Sequence, residues 1–295
     1  MVQDRTYRYD DAFKAKARAH QFAFRENILN DYYEEKYPQV ILSPSGARQG
    51  LIFCSTYRDL ILKKVKKFGT SALFSNMLRS EHIPYNLFVP MEEDLEDAKL
   101  LFNEIIGDGI LKITHINIEF AGYADKSMYL NDGTSFDAYI EYLDERNQKG
   151  AIGIEVKYTE NGYPIGEKEE KDIKRADGLY RQMTNKSGYF IPDLDICMFL
   201  KAHHLRQIWR NHLLGYSMVD RGDIQRFHHI HLYPLDNTHF HQYALPEYKL
   251  LLTLKGKESF IDLTYERLFE MMSKYFSSEK QKKWINYLYQ RYIVI

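Results

Sequence analysis

The sequence predicts an α/β fold, a mixed central sheet flanked by helices, and three observations carry that prediction. Period-two alternation marks three successive strands, over Leu111–Phe120, Asp137–Tyr142 and Ala151–Tyr158. The polar cluster Asp144–Gly150 between the last two reads as a hairpin connection centred near Arg146–Asn147. A charged helix over Glu167–Met183, a short apolar strand over Asp195–Leu200 and an amphipathic helix over His203–Met218 are expected to follow. Antiparallel neighbours followed by a crossover helix give a mixed sheet with helices on both faces.

The remaining elements follow from local signals. Asp10–Lys36 lacks Gly and Pro and sets Phe13, Ala17, His20, Phe24, Ile28 and Tyr32 at helical spacing, with Asp10 or Asp11 as cap and Pro38 as stop. Ser43–Gly50 is turn-rich and leads into a helix over Leu51–Phe68 that ends in LKKVKKFG, with Gly69 beyond it. Lys63, Lys64, Lys66 and Lys67 read there as a solvated last turn favoured by the helix dipole, with phosphate binding as the alternative. Ala72–Arg79 is expected to be helical and His82-Ile83-Pro84 to break it before the apolar Tyr85–Val89; acidic residues then open a helix over Met91–Ile106, closed by Gly107-Asp108-Gly109. Asn131-Asp132-Gly133 signals a turn ahead of the second strand, and Asn161, Gly162, Pro164 and Gly166 mark a polar loop after the third. Arg226–Tyr233 is a further strand, and Leu245–Leu254, Leu263–Phe276 and Glu279–Ile295 read as terminal helices with Trp284, Tyr287, Tyr289 and Tyr292 on the core. One domain over residues 1–295 is expected, with a helical part at 10–110, a sheet core at 111–240 and C-terminal helices at 241–295.

Composition narrows the class. The chain has 295 residues, 44% hydrophobic and 27% charged, which suits a soluble globular protein. A net charge of −1 means that any phosphate-binding surface must be a local basic patch. Two cysteines, Cys54 and Cys197, sit among apolar neighbours and are too few for a disulfide scaffold or a zinc cage. No apolar run approaches the roughly 20 residues that span a bilayer, and the charged N-terminus contains no signal-peptide core, so a cytoplasmic protein is expected, with no membrane partner. The histidines His228, His229, His231, His239 and His241 match no zinc spacing and have no cysteine beside them.

The informative stretch is Ser135–Thr159. At period two Gly153, Glu155 and Lys157 point to one side, opposite Ile152, Ile154, Val156 and Tyr158. A hairpin centred near Arg146–Asn147 brings Asp137 across from Glu155 and Lys157 on that side. Helices around a central strand would enclose these charges, and enclosed charges need partners. A structural ion pair would satisfy them. A divalent-metal phosphodiesterase site would also, since two carboxylates and the backbone carbonyl between them are hard oxygen ligands for Mg²⁺. Lys157 would then act on the attacking water or on charge developing at phosphorus. Paired carboxylates also serve glycosidases, but that chemistry does not ask for a lysine two residues from one of them.

These residues resemble the PD-(D/E)XK nuclease superfamily: Asp137, then Glu155-Val156-Lys157 after a hairpin. Phe136-Asp137 stands where the family name has Pro-Asp. SFDAYIEYL, GAIGIEVKYTE, the Ser75–Val89 segment and QIWRNHLLGYSM together resemble a branch of bacterial proteins described as restriction endonucleases, over about Gln21 to Pro246. The resemblance implies a restriction-endonuclease-like core of helix, three strands, helix and strand, with extra helices at both ends. It implies a Mg²⁺-dependent endonuclease (Mn²⁺ the alternative ion) with DNA as partner, a restriction or defence role, and a homodimer as one arrangement. Asp137, Glu155 and the Val156 carbonyl would hold the metal, and Lys157 would complete the catalytic set. Glu26, on the first core helix, fits the family's additional acidic position. Gln207 and Arg210, on the helix expected after the fourth strand, match a QxxR pattern and would contact phosphate or brace the site. His212 reads as a packed core histidine, outside the site. The competing reading is a non-catalytic nucleic-acid-binding or interaction module on the same fold, which would be expected to have lost a member of the triad.

Overall fold

The computed structural model describes residues 7–34, 40–65, 72–107, 109–162, 166–192 and 195–294. Lys36, Pro38, Lys66, Lys67, Phe68, Gly69, Asp108, Pro164 and Ile295, used above, lie outside them. Helix α1, Ala12–Asn27, starts where Asp11 accepts the Lys14 N–H and stops well short of Lys36. The expected helix over Leu51–Phe68 is a run of turns followed by α3, Arg58–Lys64, after the short α2, Pro44–Arg48. Only Ala72–Ser75 of the next segment is helical (α4). Pro84 opens α5, Ile83–Phe88, rather than breaking a helix, because the first turn needs no N–H from it. A 3₁₀ turn at Pro90–Glu93 precedes α6, Leu95–Ile106, capped by Asp94 and closed by Gly107 in the left-handed conformation.

Strands β1 (Ile110–Phe120), β2 (Phe136–Asp144) and β3 (Lys149–Val156) form an antiparallel meander, and the hairpin pairs Leu143 with Lys149. The crossover to the next strand contains α7 (Glu167–Lys174), α8 (Leu179–Ser187), α9 (Ile196–Leu200) and α10 (Arg206–Arg221). Two expectations are corrected in it. Glu167–Met183 is two helices, because the Asp172 carboxylate turns back to accept the Leu179 and Tyr180 N–H groups. Asp195–Leu200 is helical: Ile196, Cys197 and Leu200 are buried at helical spacing while Met198 and Phe199 face outward. The fourth strand, β4, is therefore Arg226–Tyr233, and the helix carrying Gln207 and Arg210 precedes it.

β4 pairs with β3 in parallel, which the long crossover requires. After α11 (Leu245–Leu250) and α12 (Leu254–Glu258) comes β5, Phe260–Thr264, parallel to β4; it begins between two expected helices and takes Leu263 and Thr264 from the start of the second. Helices α13 (Tyr265–Tyr275) and α14 (Glu279–Tyr292) complete the described chain. The sheet order is β1-β2-β3-β4-β5, so β3 is central and buried on both faces. One apolar layer joins Ala138, Ile140, Ile152 and Ile154 to α1, α5, α6, α13 and α14. The other joins Tyr139, Ala151 and Phe227 to α8 and α10 through Tyr180, Trp209 and Leu213. This is the mixed, helix-flanked α/β architecture that the strand order predicted.

Candidate active site

The β2–β3 register pairs Ala138 with Ile154, and one step further sets Asp137 opposite Glu155. The contact is direct: the Val156 N–H donates to Asp137 Oδ2 at 2.7 Å. Lys157 Nζ lies 2.6 Å from Glu155 Oε1. Glu155 and Lys157 are 1% and 8% exposed, so the strand parity has put a carboxylate and an ammonium inside the protein rather than on a solvated face. Asp137 and Glu155 both line a cleft of about 160 Å³ between the end of the sheet and α10.

The field in this cleft is dominated by burial and crowded carboxylates. Burial and the facing Glu155 push the Asp137 carboxyl well above the usual carboxylate range, against the pull of Lys157 and the Val156 N–H. Burial opposes the Lys157 charge, yet Glu155, Asp137 and Glu160 outweigh it and hold the ammonium above its ordinary range. The strand exit that carries Lys157 is fixed on both sides. Its N–H donates to the Leu232 carbonyl at 2.8 Å, and its own carbonyl accepts the Tyr265 hydroxyl at 2.7 Å.

Helix α10 supplies the wall. Gln207 Nε2 donates to Glu155 Oε1 and Asn211 Nδ2 to Glu155 Oε2. Gln207 is thus at the cleft and braces Glu155. Arg210 also lines the cleft but is engaged by Asp132, at 3.1 and 3.2 Å, and by Glu169 at 3.2 Å. Burial works against the Asp132 charge, and Arg210 together with the Tyr180 hydroxyl more than offsets it, holding that carboxyl low.

Glu26 is not brought to the cluster. It lies in the last turn of α1, does not line the cleft, and is not among the charges that act most on Asp137 and Lys157. The extra carboxylate whose field reaches Asp137 and Lys157 is Glu160, which accepts the Ser80 and Tyr158 N–H groups at 2.8 and 3.0 Å. Sequence reasoning missed it because it follows the end of β3, where parity no longer tells direction. It missed Asn211 too, although four residues from Gln207 on a helix means the same face.

The other candidates resolve simply. His212 is a buried core residue between the Tyr248 hydroxyl and Ser259, as expected. Lys64 pairs with Glu92 at 2.7 Å. Cys54 and Cys197 are buried free thiols. Among the described residues no group of three or more His, Cys, Asp or Glu forms a metal cluster, the histidine-rich β4 included, and no helix is long and apolar enough to cross a membrane.

The donor set suits a hard cation that keeps most of its waters and takes few protein ligands. Asp137 Oδ1 accepts no hydrogen bond among the described residues, and Asp137 and Glu155 are crowded carboxylates whose repulsion a cation would relieve. Comparison with curated proteins and with solved structures gives no match. A family model described as the PD-(D/E)XK nuclease superfamily matches residues 8–294. With Asp137 facing Glu155-Val156-Lys157 over a central strand, the chain belongs to the PD-(D/E)XK nuclease superfamily.

Proposed function

We propose that this protein is a metal-dependent endonuclease that hydrolyses phosphodiester bonds in DNA, with Mg²⁺ as its ion and restriction or defence as its role. The observation that carries the reading is the intact constellation: Asp137 bonded to the Val156 N–H, and Glu155 paired with Lys157 at 2.6 Å beside an open cleft. A non-catalytic descendant of the fold has no need to keep all three.

Asp137, Glu155 and the Val156 carbonyl would hold the ion. When bound, it polarises the phosphate and makes a water more acidic. Lys157 stays protonated among its carboxylate neighbours, so it donates hydrogen bonds rather than accepting a proton. Water adds to phosphorus and releases its proton to solvent, the bond to the leaving oxygen breaks and that oxygen takes a proton from solvent, and the ammonium stabilises charge on the phosphoryl oxygens as it builds. Gln207 and Asn211 keep Glu155 from turning away.

Plasmid cleavage by purified protein with Mg²⁺ tests this. Asp137→Ala and Lys157→Ala are expected to lower the rate by at least about 100-fold, the scale on which a lost electrostatic stabiliser acts. Equal cleavage by wild type and both variants would mean a contaminating nuclease and end the proposal.

A further inference from the structure

Glu155 is an acceptor only, so it decides how the two amides on α10 are turned. Each must present its NH₂ group, and each carbonyl oxygen then points elsewhere. Reversing either amide would set oxygen against oxygen. The result is unusual for a protein interior: Asn211 Oδ1 and Gln207 Oε1 are both buried with no donor among the described residues. Asn211 is 1% exposed and both residues line the cleft that holds Asp137 and Glu155. Buried acceptors without donors are costly, and where they occur in a native site they call for a ligand that donates.

The chemistry of that ligand is restricted. A phosphate oxygen is itself an acceptor and would be repelled by both amide oxygens, so these atoms do not grip the substrate backbone. The water shell of a divalent cation is the complementary partner, because its waters are polarised donors and a small hard cation retains several of them. We infer that Asn211 and Gln207 are positioning residues for the hydrated ion, each donating to Glu155 and accepting from a water of the shell. The inference rests on the metal-dependent reading above. It assigns the amide pair an acceptor role toward water that Lys157, a donor only, cannot fill. It also turns Gln207 away from the phosphate contact that its place in a QxxR pattern suggested.

Hexamminecobalt(III) isolates this role, since its ammine ligands donate N–H bonds as a water shell donates O–H bonds and do not exchange for a carboxylate. Its binding to the full chain, without nucleic acid, is measured by titration calorimetry for wild type, Asn211→Leu and Gln207→Met. The substitutions leave the charge of the site unchanged and approximate the volumes of the amides. Lost acceptors are expected to weaken the complex about ten-fold in each variant, the lower end of what outer partners of a metal site contribute. If the amides only orient Glu155, Mn²⁺, which that carboxylate must ligate directly, weakens in the variants while the hexammine complex, which no carboxylate ligates, binds as it does to wild type, and the inference is overturned. Failure of wild type to bind it also overturns the inference. Gln207→Met, at the rim of the cleft, serves if Asn211→Leu does not fold by circular dichroism. A parallel Mn²⁺ titration of Asp137→Asn separates the two levels: binding equal to wild type would remove the metal reading itself, whereas its loss leaves that reading standing whatever the amide variants do.

Discussion

At the scale of single residues the site is a point of stored cost. Asp137 has its carboxyl raised above the ordinary range by burial and by Glu155. A group raised on folding contributes stability that is complete below its unfolded pKa and lost as pH rises through the folded value. At neutral pH, above its unfolded value, the Asp137 carboxyl therefore works against folding. Asp137→Asn keeps an oxygen for the Val156 N–H and removes the charge, so in the presence of a chelator its melting temperature at pH 7.5 is expected to exceed wild type by about 2 to 4 °C, the shift that one kcal/mol produces in a chain of a few hundred residues. The gain should vanish near pH 3.5, where both proteins carry a neutral group. A lower melting temperature at pH 7.5 would show that the carboxylate is a net stabiliser. Asp132 is the opposite case. Arg210 and the Tyr180 hydroxyl hold it low, so it contributes stability above its unfolded pKa that fades as pH falls through the folded value.

At the scale of elements, α10 does more than cover the sheet. Its face carries Gln207 and Asn211 onto Glu155, while Arg210 reaches Asp132 and Glu169. The close approach depends on Gly215: a Cβ there would stand 1.9 Å from Cε1 of Phe227 on β4, a ring that is itself buried. Gly215→Ala is expected to cost about 1 to 3 kcal/mol by overpacking. It should also lift the helix two turns upstream and weaken the hold on Glu155, so Mn²⁺ affinity falls along with the urea midpoint. An unchanged midpoint would mean that Phe227 yields freely and that α10 is not seated by this contact. The β3 exit is the second decisive element, since Tyr265 at the start of α13 and Leu232 on β4 fix the backbone of Lys157 from either side.

At the scale of the whole molecule, buried histidines set the acid limit of the fold. His82, His212 and His229 are fully enclosed and burial pulls each below its ordinary value, His229 to about 3. Depressed folded values mean that stability is complete above the unfolded value of about 6.5 and declines as pH falls below it. Each contributes up to about 1.4 kcal/mol per pH unit, so urea midpoints at pH 7.5, 6.0 and 5.0 should fall steeply. Both ring nitrogens of His229 are without partners among the described residues, and His229→Phe is expected to flatten this slope by one proton; an unaltered slope would place the proton uptake elsewhere. Much of this architecture was legible from the chain alone. Alternation placed β1, β2 and β3, and the hairpin centre placed Asp137 across from Glu155, because strand direction and turn position are local properties. Local signals failed at Asp195–Leu200 and left most of Phe260–Thr264 unassigned, short apolar runs whose state is decided by neighbours: the first packs as a helix and the second pairs with β4. Glu26 had an acidic side chain on the first core helix, but the carboxylate that the path of the chain after β3 brings to act on Asp137 and Lys157 is Glu160. The triad and its shared face thus come from sequence, since a period of two needs no knowledge of the fold. The wall that completes the cleft, the two amides on Glu155 and the clamp on Lys157 come from tertiary structure alone, because they join residues 50 to 110 positions apart that meet only when the helices close over β3.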